Sequence, residues 1–181
     1  MLIEQQIAER RARASSVVAQ VLKRPEGSGY GDYRIKSASG RDYRVALRGP
    51  GLFENYCSCP DFAVNTLGTC KHIEAVLLQL RQGRRKTPET AAYKRIRASI
   101  SLQYGNTIEV RLHLPASPTP ALVSLAAEYF DAAGLLLREN YRRFAGVLEA
   151  IRNADDQAVV YSDALEYVDR ENELADRKSV V

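Results

Sequence analysis

All three cysteines of the chain and one of its two histidines lie within sixteen consecutive residues, 57–72. One residue separates Cys57 from Cys59, ten residues follow, and one residue separates Cys70 from His72. Three thiolates and a neutral imidazole complete the tetrahedral ligand set that zinc prefers, and four protein ligands leave no open position for catalysis. The spacing therefore predicts one structural zinc ion bound by Cys57, Cys59, Cys70 and His72.

Two other chemistries compete for the same four residues. A disulfide between Cys57 and Cys59 would be strained, and an odd number of cysteines leaves one thiol over. Cys70 as a nucleophile with His72 as its base would need a third group to orient the histidine, and the sequence shows none. Zinc binding accounts for all four residues, so it is the favoured interpretation.

A strand, a turn and a helix must bring the two halves of this site together. The pair Cys57 and Cys59 suits the end of a strand that starts near Leu52, whereas Cys70 and His72 fall where a helix begins, with Thr69 as its N-cap. The apolar residues of that helix recur at i, i+3, i+4 and i+7, which is the stripe of an amphipathic helix packed on a sheet; they are Ile73, Val76, Leu77 and Leu80. Because so small a domain buries little apolar surface, we expect it to unfold without zinc.

A β-hairpin is predicted ahead of the cysteines, from two alternating segments joined through 39–41. Its inward side carries Tyr33, Ile35, Tyr43, Val45 and Leu47. Alternation then places cations on the outward side, at Arg34, Lys36, Arg44 and Arg48. A second basic group, Arg84, Arg85 and Lys86, follows the helix. These seven residues are candidate phosphate contacts, and the competing interpretation is that they only face water.

Residues 2–24 have an approximately helical apolar periodicity that ends before Pro25, which predicts an N-terminal helix of five to six turns. Its basic residues are Arg10, Arg11, Arg13, Lys23 and Arg24. A solvated helical face is the favoured interpretation of this cluster, with phosphate contact as the alternative.

The second half of the chain has a different pattern. Alternation at 98–102 and 108–114 around Gly105-Asn106 predicts a hairpin, and Thr119-Pro120 is a helix start. Further helices are expected at 141–152 and 163–177, with a strand at 158–161 between them. The lone His113 is expected to be exposed rather than ligating. The predicted fold class is α+β: residues 1–91 form an N-terminal helix and zinc module with its core at about 30–82, and 92–181 form a small α/β or α+β domain.

Composition and charge narrow the function classes. With 45% hydrophobic and 27% charged residues, the chain has the composition of a soluble globular protein, and no segment suits a membrane span or a secretory signal. Residues 1–97 contain 18 lysines and arginines against nine acidic residues, whereas the remainder contains eight against 13. Such a basic half is compatible with nucleic-acid binding. The sequence contains no Gly-x-x-x-x-Gly-Lys-Ser/Thr loop. Because no secretory signal is evident, a reducing, intracellular setting is expected, and it suits thiolate ligands.

The pattern Cys57-x-Cys59, ten residues, Cys70-x-His72 resembles the SWIM zinc finger. Its flanking residues, Tyr56 to Phe62 and Leu67 to Leu77, are similar to the version near the N-terminus of bacterial SWI/SNF-type helicase-like ATPases. This resemblance covers about residues 30–82, and only a general likeness extends over 95–175.

The resemblance implies a non-catalytic DNA-binding or interaction region of such an ATPase, with hydrolysis supplied by sequence outside this chain. The partners expected are duplex or single-stranded DNA, bound without sequence preference, and an ATPase core or another protein. The location expected is the bacterial cytoplasm, including association with the nucleoid. The alternative is a protein–protein interaction adapter that zinc stabilises and that does not bind nucleic acid.

Overall fold

The computed structural model describes residues 2–15, 20–23, 30–82 and 95–179. Two compact units make up the chain: Met1–Tyr93 with Tyr104–Thr107, and Lys94–Gln103 with Ile108–Val181. Both combine helices with mainly antiparallel strands, which confirms the α+β class. None of the described helices is long and apolar enough to cross a membrane.

The first unit is built on a four-stranded antiparallel sheet in the order β1-β2-β3-β4. Its elements are α1 (Ile3–Ala14), β1 (Gln20–Lys23), β2 (Gly31–Lys36), β3 (Asp42–Leu47), a 3₁₀ helix (Leu52–Glu54), β4 (Tyr56–Cys57), α2 (Pro60–Val64) and α3 (Lys71–Gln82). The predicted hairpin is β2–β3, and its inward residues Tyr33, Ile35, Val45 and Leu47 are buried. The apolar stripe of α3 begins with Ile73 and Val76, which are buried in the same core, as predicted.

Two predicted elements of this unit are wrong. The long helix over 2–24 is replaced by α1, which ends at Ala14, and by β1, which pairs with β2. β-branched residues such as Val21 favour strands over helices, and pairing with β2 satisfies the backbone that a longer helix would have satisfied internally. The strand expected from Leu52 is a 3₁₀ helix followed by the two-residue β4, because the Asn55 side chain donates to the Gly51 carbonyl oxygen and closes a turn.

The second unit contains a three-stranded sheet in the order β6-β5-β7, in which β5 is antiparallel to β6 and parallel to β7. Its elements are β5 (Ser99–Gln103), β6 (Glu109–His113), α4 (Pro120–Tyr129), a 3₁₀ helix (Arg138–Arg143), α5 (Phe144–Ala154), β7 (Val159–Val160) and α6 (Ser162–Ser179). The predicted hairpin, the strand near 159 and the final helix are confirmed. So is the start of α4, where the Thr119 hydroxyl accepts a hydrogen bond from the Leu122 N–H at 3.2 Å.

The expectation that His113 is exposed is wrong, since only 9% of its surface is accessible. The turn at 131–134 covers β6: the Leu112 N–H donates to the Gly134 carbonyl oxygen at 2.8 Å, and Arg111 forms a bridge with Leu135. Alternation along the strand could not anticipate that a distant turn would pair with the residues next to His113. Within the described ranges, His113 belongs to no group of three metal-ligating side chains.

Candidate metal centre

The structure brings together the four side chains that the spacing singled out. Cys57, Cys59, Cys70 and His72 are all buried, and their ligand atoms all lie within 4.8 Å of one another. The sulfur of Cys57 and Nδ1 of His72 are 3.9 Å apart. Sulfurs bound tetrahedrally at about 2.3 Å from zinc lie about 3.8 Å from each other, so the cluster has the dimensions of a zinc site.

The first pair of cysteines is held by a tight turn between β4 and α2. Cys57 ends β4 opposite Val45 of β3. Ser58 is then fixed on both sides, because its N–H donates to the Arg44 carbonyl oxygen and its hydroxyl accepts from the Arg44 N–H, each at 3.0 Å. Cys59 is the N-cap of α2, and its sulfur accepts a hydrogen bond from the Phe62 N–H at 3.4 Å.

The loop between the two pairs is shaped by Asn65 and Gly68. The Asn65 side chain donates to the carbonyl oxygens of Asp61 and Thr69 at 2.6 and 3.3 Å, and its oxygen accepts from the Leu67 N–H. Gly68 has a φ of 68°, and a Cβ there would lie 2.8 Å from the Leu52 carbonyl oxygen. Only glycine combines that backbone angle with so close an approach. These two residues return the chain to the first pair.

The second pair opens α3, one residue later than the sequence indicated. Because the helix begins at Lys71, the residue that precedes it is Cys70 and not Thr69. The Thr69 hydroxyl instead donates to the carboxylate of Glu74 at 2.8 Å, and Glu74 is only 4% exposed. The Glu74 N–H in turn donates to the Cys70 carbonyl oxygen, so Thr69 and Glu74 fix the first turn of α3 beside the ligands.

His72 is oriented by its neighbours within the core. Its ring packs against the ring of Tyr43, with 4.7 Å between centroids. Among the described residues, Nε2 has no hydrogen-bond partner, and Nδ1 lies 3.9 Å from the Cys57 sulfur. A buried imidazole without ordinary hydrogen-bond partners is expensive, and a metal ion bound at one nitrogen would satisfy it.

The three thiols are coupled through hydrogen bonds, and this coupling separates their pKa values. Hydrogen bonds with Cys57 and Cys70 lower the pKa of Cys59, despite its burial. The pKa of Cys57 is raised, first by its hydrogen bonds to Cys59 and Cys70 and then by burial. For Cys70, the hydrogen bond with Cys57 lowers the pKa, but the bond with Cys59 and burial outweigh it and raise the pKa to about 12. The coupling therefore favours a thiolate on Cys59 over one on Cys57 or Cys70.

The donor set, its dimensions and its burial all fit zinc. Three soft sulfurs and one imidazole nitrogen converge on one point, and the surrounding shell is apolar apart from the groups that fix the ligands. Cys57, Cys59, Cys70 and His72 are thus positioned to bind one zinc ion. Zinc bound there would cross-link β4, the start of α2 and the start of α3, without a free coordination position.

Comparison with known proteins supports the same assignment. Residues 43–81 match the family model of the SWIM zinc finger. The match runs from near the start of β3 almost to the end of α3, and it includes all four ligand positions. No curated protein and no solved structure gave a significant match to the chain. The name SWIM module is used below for residues 43–81.

The candidate phosphate contacts are placed differently from one another. Arg34, Lys36 and Arg44 are exposed on the outward side of β2 and β3, where alternation placed them. Arg48 is only 4% exposed, so its predicted exposure is wrong. It follows the last residue of β3, its N–H donates to Asn55 Oδ1 at 3.0 Å, and its guanidinium lies 5.8 Å from the centre of the Tyr56 ring. Arg84, Arg85 and Lys86 lie outside the described residues.

Sequence reasoning missed the ion pairs between α1 and the helices of the metal site. Arg10 donates to both carboxylate oxygens of Asp61 in α2, at 2.9 and 3.3 Å. Arg11 donates to Glu74 in α3 at 3.2 Å. The two arginines therefore make structural contacts rather than forming a fully solvated face. The basic cluster pointed to α1, but nothing in the sequence linked it to acids 51 and 63 residues away.

Proposed function

We propose that this chain is the non-catalytic DNA-binding and interaction region of a SWI/SNF-type, DNA-dependent helicase-like ATPase. In this proposal the outward side of strands β2 and β3 binds phosphate groups of duplex or single-stranded DNA without sequence preference. ATP hydrolysis belongs to sequence outside this chain, and the location is the cytoplasm. The zinc ion has a structural role, because its four ligands leave no position for a substrate.

The observation that carries the proposal is the pair Arg34 and Arg44. These residues are direct partners across β2 and β3, and both side chains are exposed. Like charges directly opposite one another destabilise a sheet unless an anion lies close by. Lys36 is exposed on the same strand and side, so three cations line one outward surface of the sheet that also holds Cys57.

Two carboxylates form ion pairs with these arginines and offset their positive charge. Arg34 pairs with Asp42 at 2.6 Å, and Arg44 pairs with Asp32 at 3.1 Å. Exposed ion pairs of this kind contribute only about 0–1 kcal/mol. DNA phosphates that release condensed counterions therefore compete well for the same guanidinium groups.

The test is fluorescence anisotropy with labelled duplex and single-stranded DNA between about 50 and 200 mM salt, a range over which counterion release changes affinity strongly. Zinc content is measured on the same sample. Charge reversal at Arg34, Lys36 and Arg44 should weaken binding and reduce the salt slope by about 0.9 for each phosphate that the protein no longer neutralises. Neutralising the competitors with Asp32→Asn and Asp42→Asn should strengthen binding. Glu171→Gln, which removes the partner of the exposed Arg138 in the second unit, is the matched control.

A protein–protein adapter is the second candidate, and helix α4 favours it. This helix buries Leu122, but it leaves Pro120, Val123 and Ala127 exposed. Positions i, i+3 and i+7 share one face of a helix, and an exposed apolar face is typical of surfaces that contact other proteins. The adapter interpretation replaces the first if zinc is present at about one ion per chain and DNA affinity stays weaker than about 10⁻⁴ M, the limit of ordinary nonspecific binding.

A further inference from the structure

We propose that helix α1, which lies outside the residues that match the SWIM family model, is part of the metal centre, because Arg10 and Arg11 position the two helices that begin at the ligands. In this proposal a complete zinc site in this protein requires residues 3–14 as well as the SWIM module. The inference concerns zinc binding alone and does not depend on DNA as a partner.

The first contact fixes α2. The Arg10 side chain is largely buried, at 16% exposed, and two of its nitrogens donate hydrogen bonds to the Asp61 carboxylate. A further nitrogen of Arg10 donates to the Gln6 carbonyl oxygen, so the guanidinium is anchored to its own helix. Asp61 lies two residues after Cys59, and paired hydrogen bonds of this geometry fix direction as well as distance. Arg10 therefore fixes the turn that presents the Cys59 sulfur.

The second contact fixes the start of α3. Glu74 has its side chain 3% exposed, and its two oxygens are divided between Thr69, at 2.8 Å, and Arg11, at 3.2 Å. Thr69 precedes Cys70, and Glu74 lies two residues after His72. A carboxylate this deeply buried needs both partners, because an unpaired buried charge is strongly destabilising. The two hydrogen bonds from Arg11 to Glu74 and from Thr69 to Glu74 thus link α1 to the backbone on either side of the ligands Cys70 and His72.

Groups that hydrogen-bond to metal ligands tune metal affinity as well as stability, and their loss typically costs about 10- to 100-fold in metal affinity. Arg10 and Arg11 act through Asp61 and Glu74, one contact further from the ligands, so we expect an effect at the lower end of this range. Arg10 and Arg11 come from one helix and reach both halves of the site. Their removal should therefore change the ligand geometry itself, and not merely loosen a surface helix.

The experiment compares Arg10→Ala/Arg11→Ala with Arg13→Ala in the full chain. Arg13 is the matched control because it lies on the same helix and pairs with Glu9 of that helix. We measure the affinity for zinc and the rate of zinc loss by competition with a chromogenic chelator, and the absorption spectrum of the cobalt-substituted protein, alongside thermal unfolding. The double variant should lower zinc affinity by about tenfold and alter the cobalt bands, whereas Arg13→Ala should do neither.

If the double variant does not fold, a second set of variants still tests the proposal. Thr69→Val removes the hydroxyl with little change in shape, and Thr69→Ser retains it. The valine variant should lose zinc about ten times faster, and the serine variant should restore the original rate. Arg11→Lys should likewise retain most of the affinity that Arg11→Ala loses. If these variants lower the unfolding temperature but leave the cobalt spectrum and zinc loss unchanged, α1 is only a stabilising helix and the proposal is overturned.

Discussion

In the first unit, the core around the metal site contains charged side chains, whereas the core of the second unit combines apolar side chains with a few buried serine, histidine and asparagine residues. Among the described residues, the buried arginine and the buried carboxylate, Arg48 and Glu74, both lie in the first unit. Three of its buried core residues are the cysteines. The core of the second unit includes the buried apolar residues Ile100, Val147 and Ile151. Its buried polar residues are Ser99, Ser101, His113 and Asn140, and none of them is an arginine, a lysine or a carboxylate.

This contrast shows two ways of stabilising a small fold. A unit with little apolar surface to bury depends on an internal cross-link, and four ligands on three different elements provide one here. A unit with a continuous apolar core does not need such a link. We therefore expect the two units to respond differently to the same perturbations.

Removal of zinc should produce the largest difference. Chelation, or Cys70→Ser, should remove hydrogen-exchange protection from β2, β3 and α3, because zinc binding supplies about 10–16 kcal/mol in small zinc-dependent folds. Amides of β5 and α5 should retain their protection, since that unit has its own core. Protection that persists in α3 after zinc is shown to be absent would contradict the expected dependence.

A cavity in the second core should give the reverse pattern. Ile151 is 1% exposed on α5, and Ile151→Ala should cost about 2–5 kcal/mol of unfolding free energy in that unit. Leu165→Ala is the control, because Leu165 is 37% exposed on α6. Denaturant titration followed by hydrogen exchange measures the loss, and zinc content should stay at about one ion per chain. Loss of zinc in Ile151→Ala would contradict the expectation that the two units are stabilised independently.

Acid should weaken the first unit selectively, through the thiols. Since the pKa of Cys57 is raised and that of Cys70 is raised to about 12, both thiols keep their protons at neutral pH until zinc displaces them. Zinc affinity should therefore rise with pH, by up to about tenfold per pH unit for each proton released. The contribution of Cys70 to folding in the absence of zinc has the opposite dependence: its raised pKa favours the folded state below the ordinary value of 9.0, and that contribution is lost as the pH rises through about 12.

The pH prediction is checked by competition with a chelator of known affinity between pH 6 and pH 8, roughly the range in which protonated thiols compete with zinc. Proton release in a weakly buffered sample gives the number of thiols that lose protons. Affinity that does not change over this range would show that the thiols are already ionised before zinc binds.

Local signals account for the elements that the sequence predicted correctly. The spacing of the four ligands, the apolar stripe of α3 and the Thr119 cap of α4 each depend on residues a few positions apart. Such patterns are visible in the sequence because helix and strand geometry fixes which near neighbours share a face. The fold class and the zinc site follow from them.

Contacts between residues far apart in the sequence account for the features that the sequence predicted wrongly. The conversion of the expected long helix into α1 and β1 depends on pairing with β2, and the buried His113 lies beside Leu112, which hydrogen-bonds to the turn at 131–134. Arg48 is buried beside Asn55 and Tyr56, and the buried Ala46 shows that alternation already stops within β3. In each case a partner from elsewhere in the chain outweighed the local preference.

The sequence by itself determined the identity of the metal ligands and the chemistry of the ion, because zinc selects residue types and spacings that can be read in one dimension. Only the tertiary structure decided what holds those ligands in place. Arg10 and Arg11 meet Asp61 and Glu74 across 51 and 63 residues, and no local rule links such positions. Ion pairs form wherever packing brings opposite charges together, so the partners of α1 became visible only once the chain was folded.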